Sequence, residues 1–151
     1  MNIIIPPHKN PARHVDTQDL EEVRKQAKEM RKLCYQRHGK HIYGGYAVAH
    51  PQVSASPMAF FVTREGVAYI NPKITRHTNQ IVKREEGCLS YPDDGIIENV
   101  QRFNKVEVQY ELDNGFGTTR TVRESLQGLA AQIFQHEIQH LNGGSIKDSI
   151  L

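Results

Sequence analysis

Residues 124–143 read ESLQGLAAQIFQHEIQHLNG, and this stretch decides the fold. Its apolar residues recur at helical spacing and leave little of the circumference polar, and Gly143-Gly144 supplies a stop signal. A helix that is apolar on nearly all sides belongs in the interior of a globular protein. We therefore predict a central buried helix that begins near Glu124-Ser125 and ends at Asn142-Gly143. Its apolar positions are Leu126, Leu129, Ala130, Ile133, Phe134, Ile138 and Leu141.

Strand patterns precede this helix in the chain. Lys105–Leu112 alternates apolar and polar residues, and the turn Asp113-Asn114-Gly115 leads into a second strand at Thr118–Val122. Met58–Thr63 and Val67–Asn71 are expected to form two further strands joined by a short turn. The middle of the chain is therefore predicted to be mostly antiparallel sheet.

A second helix is predicted near the N terminus. Asp16 or Thr17 can cap it, and apolar residues recur at helical spacing from Leu20 until Gly39, while most other positions are charged. This pattern is typical of an amphipathic surface helix. Because the elements do not alternate as βαβ units, we expect an α+β fold in which antiparallel sheets pack around the central buried helix. Residues 1–151 are expected to form a single domain.

The charge and the apolar runs of the sequence exclude several classes of protein and of binding partner. The 151 residues carry a net charge of +2, which predicts neither DNA nor a membrane surface as a partner. No apolar run approaches the roughly 18 residues that a membrane span needs. The N-terminal apolar stretch ends at Pro6-Pro7 and is too short for a secretory signal. We expect a cytoplasmic protein, in which Cys34 and Cys88 do not form a disulfide and Cys34 is a small buried hydrophobe.

The predicted central helix carries two histidines at positions i and i+4. His136 and His140 therefore lie on one face and can offer two imidazoles to one metal ion, with Glu137 near enough to take a proton from a bound water. The alternative is a pair of solvated or core histidines beside an incidental acid. Burial without partners would cost about 1–3 kcal/mol for each polar group, which favours the metal. A third ligand is expected from upstream.

The residues alone leave that third ligand open. Cys88 is the most attractive candidate, because it is flanked by glycine in a tight polar loop and a thiolate binds a soft or borderline metal strongly. His50, His77 and Glu85 are the other upstream candidates, and Asp148 is the only one downstream of His140.

Three motifs in order make the chain similar to a known family. They resemble the motifs of the peptide deformylases and read Glu86-Gly87-Cys88-Leu89-Ser90, Gln135-His136-Glu137-Ile138-Gln139-His140-Leu141 and the degenerate Gly45-Tyr46-Ala47-Val48-Ala49-His50-Pro51-Gln52-Val53. The segment Tyr69–Ile74 also resembles the strand before the family's cysteine motif. These metalloenzymes remove the formyl group from the N-terminal methionine of new polypeptides. The similarity covers most of residues 17–145 and implies a single catalytic domain.

The resemblance implies a metal site. Cys88, His136 and His140 would be the ligands, with water as the fourth. The family's metal is typically Fe(II), although zinc, nickel and cobalt can occupy such sites. A thiolate in place of a third histidine makes the site more electron-rich and more easily oxidised, which fits Fe(II).

The resemblance also implies catalytic and substrate-binding roles. Glu137 would act as general base and then as general acid, while Gln52 and the backbone N–H of Leu89 would donate to the oxyanion. Substrate-binding residues would be Gly45, Ile133 and Leu129. Ile133 and Leu129 lie on the same helix face as His136, where they either line an apolar slot for methionine or simply pack in the core.

Several positions depart from the family pattern. Ala47 replaces a glycine, and His50, expected to be either a pocket residue or an additional surface histidine, stands where a small residue is usual. Gln139 replaces an aspartate at a position expected to face away from the metal. Residues 93–98 occupy the loop where the family often has an arginine, and Arg102 lies further on, so contacts to the substrate backbone are expected to differ.

The short C terminus resembles deformylases encoded by some bacteriophages. The leading expectation is a deformylase of nascent N-formylmethionyl chains, in a bacterial cell or a phage-infected host, with the ribosome exit region as a further partner. One alternative is a zinc peptidase or amidase that uses the histidine pair. The other is an inactive metal-bearing module that docks on ribosomes.

Overall fold

The computed structural model describes residues 1–148 and confirms an α+β architecture with two α-helices and antiparallel sheets. The elements are α1 (Leu20–Leu33), β1 (Ala47–Ala49), β2 (Phe60–Thr63), β3 (Ala68–His77), β4 (Ile81–Glu86), β5 (Ile97–Phe103), β6 (Lys105–Asp113), β7 (Thr119–Gln127) and α2 (Gly128–Leu141). Short 3₁₀ turns lie at Thr17–Asp19 and His50–Gln52. Among the described residues, no helix is both long and apolar enough to span a bilayer.

One five-stranded sheet and one two-stranded sheet organise the molecule. The larger sheet has the order β1-β2-β3-β6-β7, every neighbouring pair is antiparallel, and β4 pairs with β5 to form the smaller sheet. The predicted hairpin Lys105–Leu112 and Thr118–Val122 is present as β6 and β7, and the strands predicted at 58–63 and 67–71 are β2 and β3.

The larger sheet lies between the two helices. All four residues of β2 are buried, because alternate side chains point to opposite faces. Phe60 and Val62 belong to the core that contains the apolar face of α1, whereas Phe61 belongs to the core that contains α2. A strand covered on both faces is apolar throughout, as β2 is.

The N-terminal helix is shorter than the sequence pattern predicted. It ends at Leu33 with Cys34 as its C-cap, rather than continuing to Gly39. Gly44 packs on the carbonyl of Cys34, and a Cβ added to Gly44 would lie 1.9 Å from that oxygen. The chain therefore folds back against the helix end and stops it. Cys34 is fully buried and both cysteines are free, as predicted.

The C-terminal helix begins later than predicted. Residues 124–127 continue β7, where Glu124 pairs with Val108 and Leu126 with Val106. Ladder hydrogen bonds to β6 thus override the helical spacing of these residues. Gly128, with φ of 63°, then turns the chain from strand into helix. The helix is buried along its C-terminal two thirds, but Leu129 is 50% exposed, so its first turn is not interior as expected.

The smaller sheet was not predicted at all. Charged residues fill most of β4, whose burial alternates between exposed and half-buried, and Asn99 adopts a φ of 62° within β5. The loop that holds Cys88 begins directly after a strand of this sheet, because β4 ends at Glu86. Helix α2 packs against β5 as well as against the larger sheet, which places the loop beside the helix.

Candidate metal centre

Three side chains from two elements converge at the centre of the molecule. The ligand atoms of Cys88, His136 and His140 all lie within 4.8 Å of one another. Cys88 Sγ is 3.3 Å from His140 Nε2, and both residues are buried. The two histidines lie one turn apart on α2, and Cys88 comes from the loop that follows β4. One thiolate and two imidazoles suit a divalent transition metal, so these residues could hold one.

A buried ion pair orients His136. Its Nδ1 lies 2.8 Å from Glu86 Oε1, and Arg102 donates to both oxygens of Glu86 at 2.8 Å and 2.7 Å. Burial alone would raise the pKa of the Glu86 carboxyl, but the hydrogen bonds from Arg102 and His136 lower it to about 2. Glu86 is therefore an anion that fixes Nδ1 as the protonated nitrogen and leaves Nε2 of His136 for the cluster.

Arg102 completes this network from β5. It is 1% exposed, and its remaining nitrogen donates to Gln139 Oε1 at 2.9 Å. Gln139 therefore faces away from the three ligand atoms, as expected, and holds the arginine instead. A buried guanidinium needs such partners, because an unpaired buried charge is costly.

Glu137 is a buried acidic side chain without a partner. It is 2% exposed, and its Oε1 has no hydrogen-bond partner among the residues that the structure describes. Burial raises the pKa of the Glu137 carboxyl to about 7. A carboxyl with this pKa can both accept and release a proton near neutral pH.

Gln52 reaches the cluster from the 3₁₀ turn that follows β1. Its Oε1 accepts a hydrogen bond from the backbone N–H of Ala49 at 2.9 Å, which fixes the amide. Its Nε2 donates to Ser90 Oγ at 3.2 Å and lies 3.7 Å from Cys88 Sγ. The amide donor is thus held beside the cysteine loop, with Leu89 next along the chain.

A groove of about 510 Å³ opens onto these residues. The three residues predicted to bind substrate, Gly45, Leu129 and Ile133, all line it. Gln52, Cys88, Leu89, His136 and Glu137 line it too. The groove therefore connects an apolar helix face with the metal-ligating atoms.

The other candidate ligands do not join the three-residue cluster within residues 1–148. His77 stacks on Phe103, with ring centroids 3.7 Å apart, and Asp148 accepts a hydrogen bond from the backbone N–H of Ser145. Glu85 is an exposed residue of β4. His50 is 4% exposed, stacks on Phe60 and accepts a hydrogen bond from the N–H of Met58. It is therefore neither a surface histidine nor a groove residue, and the expectation for it was wrong.

Comparison with known proteins identifies the family to which the chain belongs. The model of the polypeptide deformylase family matches residues 5–150. The chain belongs to the polypeptide deformylase family.

Deformylases of several sources resemble the chain. It is 41% identical over 111 residues to the peptide deformylase of Thermotoga sp. (strain RQ2), an alignment that covers 72% of this chain and 63% of that protein. The chain thus spans less than two thirds of this curated relative. The peptide deformylase of Synechocystis sp. is 32% identical over 149 residues, which cover 94% of this chain and 73% of that protein.

Solved deformylase structures share the fold. The crystal structure of the Thermotoga maritima enzyme has a TM-score of 0.80 at 34% identity and covers 99% of this chain and 97% of that chain. The enzyme of Vibrio parahaemolyticus bacteriophage VP16T, solved with actinonin, has a TM-score of 0.74 at 30% identity and covers 96% and 99% of the two chains. Similarity to a phage-encoded deformylase was also expected from the sequence.

Two features of the site were not predicted from the sequence. The pair of Glu86 and Arg102 lies between strands that were not predicted, so nothing indicated that they meet. The sequence placed Arg102 beyond the loop where the family often has an arginine, and predicted no role for it at the metal centre. The second feature is Arg64, which lines the groove.

Proposed function

We propose that this protein is a metal-dependent hydrolase that removes the formyl group from the N-terminal formylmethionine of nascent polypeptides and releases formate. One observation carries the proposal. The three ligand atoms of Cys88, His136 and His140 converge beside the buried, partnerless carboxyl of Glu137 at the base of a groove. Membership of the deformylase family supports the same activity.

Cys88, His136 and His140 would hold the metal, and we propose Fe(II) in preference to zinc, nickel or cobalt. A bound divalent ion would act as a Lewis acid and lower the pKa of a water molecule from 15.7 to about 7. The thiolate donor favours a soft or borderline ion. Glu86 would hold the ring of His136 in place as the ion binds and leaves.

Glu137 would move the proton. Its unpartnered Oε1 is free to accept a proton from the water that attacks the formyl carbon, and to deliver it to the amine that leaves. The raised pKa suits both steps, because a catalytic acid and base works best when its pKa lies near the working pH.

Gln52 and Leu89 would stabilise the negative charge that develops on the formyl oxygen. Gln52 Nε2 is preorganised by the hydrogen bond to Ala49, and the backbone N–H of Leu89 would be the second donor. Each such donor is worth about 2.7–4 kcal/mol to the transition state in comparable enzymes. The formyl carbon bears only hydrogen, so attack on it is unhindered.

The methionine side chain would occupy the apolar part of the groove. Ile133 and Leu129 line it from α2, and Gly45 lines it from the segment before β1. We propose that the enzyme works in the cytoplasm of a bacterial cell or of a phage-infected host, where formylated chains are made. Docking at the ribosome exit region remains a prediction.

Formate release and metal content, measured together on anaerobically purified protein, test the proposal. We expect one equivalent of metal and formate release from formyl-Met-Ala-Ser. The Cys88→Ser variant should lose the metal and the activity, whereas Cys34→Ala should keep both.

Other outcomes would contradict this function. Hydrolysis of an unformylated peptide would indicate a zinc peptidase. Tight metal binding without formate release would indicate an inactive metal-bearing module.

A further inference from the structure

Arg64 follows β2 and lines the groove from the larger sheet. Its side chain is half-buried, and it has no part in the proposed chemistry. Tyr43, Gly45 and Tyr46 line the groove beside it. A basic side chain in this position influences which substrates bind in the groove.

The backbone of Arg64 is held on both sides. Its N–H donates to the carbonyl of Tyr46 at 2.9 Å. Its carbonyl accepts two hydrogen bonds, from Tyr35 Oη at 2.7 Å and from Arg31 Nε at 2.9 Å. The side chain therefore starts from a fixed point at the edge of the groove.

The guanidinium itself is stacked but poorly paired. Its Cζ lies 4.5 Å from the centroid of the Tyr35 ring. Only Nη1 makes hydrogen bonds within residues 1–148, and these are long contacts of 3.5 Å and 3.4 Å to the carbonyls of Tyr43 and Gly45. No carboxylate within the described residues 1–148 forms an ion pair with the Arg64 guanidinium. An arginine offers five N–H donors, so most remain available.

This guanidinium contacts a segment of the groove wall that packs against the cysteine loop. A Cβ added to Gly45 would lie 3.5 Å from the side chain of Leu89, so the segment at Gly45 packs directly against the residue after Cys88. Arg64 Nη1 contacts the carbonyl of the same Gly45. A peptide that runs from the reaction centre along this wall therefore comes within reach of the Arg64 guanidinium.

Three acidic residues line the groove, Glu85, Glu86 and Glu137, and none of them forms an ion pair with Arg64. Glu86 is already paired with Arg102 and His136. Glu85 also lines the groove, but it belongs to β4 of the smaller sheet, whereas Arg64 follows β2 of the larger sheet. Arg64 and Glu85 thus place charges of opposite sign at different positions along the groove.

We propose that Arg64 binds a carboxylate on one of the two residues that follow the substrate's methionine, and so selects acidic nascent chains. This inference rests on the proposed deformylase function. The planar fork of a guanidinium matches both oxygens of a carboxylate, and the stacked ring of Tyr35 reduces the freedom lost on binding. The carboxylate belongs to an aspartate or glutamate side chain, since a nascent chain has no free C terminus.

A panel of C-terminally amidated peptides tests the preference in the wild-type enzyme. The peptides are formyl-Met-Ala-Ala, formyl-Met-Asp-Ala, formyl-Met-Ala-Asp and formyl-Met-Ala-Lys. For one of the aspartate peptides we expect kcat/KM to exceed that of the lysine peptide by about fivefold or more at low salt, as for a partly exposed ion pair, and to fall toward it at high salt. The same formyl-Met-Ala-Ala peptide with a free C terminus distinguishes a terminal carboxylate from a side-chain one.

Variants assign the preference to Arg64. Arg64→Gln should abolish it mainly through KM, and Arg64→Lys should keep part of it, because lysine retains the charge but not the fork. Arg120→Gln is the control, since Arg120 is an exposed arginine of β7 that does not line the groove, and it should keep the preference.

The two hypotheses fail in different ways. If no formylated peptide releases formate, the proposed function is wrong. If all four peptides release formate at equal rates, or if Arg64→Gln keeps the preference, the assignment to Arg64 is wrong. A preference confined to the free C terminus also overturns the selection of acidic nascent chains. None of the wild-type measurements depends on the folding of a variant.

Discussion

Glu86 links the metal centre to the second sheet through a single carboxylate. One of its oxygens accepts from His136 and from Arg102, and the other accepts from Arg102. The same side chain therefore orients a proposed ligand and compensates a buried cation. A change at Glu86 should affect both metal affinity and stability.

Comparison of Glu86→Gln with a variant of a neighbouring exposed glutamate separates these two effects from the effect of removing a surface charge. We expect the metal affinity of Glu86→Gln to fall about 10–100-fold, because the ring of His136 loses its orienting anion. We also expect a loss of about 3 kcal/mol in the free energy of unfolding, because Arg102 remains buried without its partner. Chelator competition and urea unfolding measure the two quantities. Glu85→Gln, at the exposed neighbouring position, should change neither, and equal effects in both variants would contradict this role of Glu86.

Substitution of Ile133 tests whether the methionine side chain of the substrate binds in the apolar part of the groove. Ile133→Trp should fill the apolar part of the groove and raise KM for formyl-Met-Ala-Ser by about tenfold, since the loss of a buried aliphatic contact is worth about 1–3 kcal/mol. Steady-state formate release measures it. Ala130→Trp is the matched control on the same helix, because Ala130 is exposed and does not line the groove. An unchanged KM in Ile133→Trp would remove Ile133 from the substrate pocket.

At the scale of elements, the junction of β7 and α2 places the metal-ligating histidines. The strand must end and the helix must begin at Gly128 for His136 and His140 to lie under the cysteine loop. Gly128 adopts a φ of 63°, and a Cβ added there would meet nothing within 4 Å. The glycine is therefore required by backbone conformation rather than by space.

Substitution of Gly128 measures this conformational requirement. Gly128→Ala should lower the free energy of unfolding by about 1–2 kcal/mol, the cost of a left-handed conformation for an L-residue. Gly128→Asn should cost less, because asparagine tolerates this conformation. Urea unfolding compares the two variants. If alanine proves as stable as glycine, the conformation at residue 128 does not limit stability.

Sequence patterns predicted some elements and missed others for physical reasons. The alternation of Val106, Val108 and Tyr110 predicted β6, because one face of that strand is buried. Strand β4 was missed because Lys83, Arg84 and Glu85 place charged side chains along it. The spacing of His136 and His140 was sufficient to propose a metal, whereas the pairing of Glu86 with Arg102 depends on contacts between elements far apart in the chain.

At the scale of the whole molecule, the larger sheet separates two cores. The core that includes α1 contains Phe60 and Val62, and the core that includes α2 contains Phe61 and Phe134. The metal-ligating atoms lie on the α2 side, where the smaller sheet contributes its loop. The α1 core also includes Leu89, the residue after Cys88. A change in this core away from Leu89 should therefore alter stability without directly altering the ligand atoms.

His50 gives the molecule a specific sensitivity to acid. It stacks on Phe60, and its Nδ1 accepts a hydrogen bond from the backbone N–H of Met58, so the ring is neutral in the folded protein. Burial lowers the pKa of His50 from 6.5 to about 4. Between these values the unfolded chain binds the proton and the folded protein does not, so stability falls as the pH decreases from 6.5 toward 4.

The His50→Asn variant isolates this contribution. Asparagine can offer a carbonyl oxygen to Met58 but does not titrate, so its stability should lack the acid-dependent loss. We expect the difference in unfolding free energy between wild type and variant to shift by up to about 3 kcal/mol between pH 7 and pH 4, since one pKa unit corresponds to about 1.36 kcal/mol. Urea unfolding at several pH values measures it, and His14→Asn, at an exposed histidine, is the control. A pH-independent difference would mean that His50 titrates alike in both states, and that the sheet interior tolerates a charged imidazole.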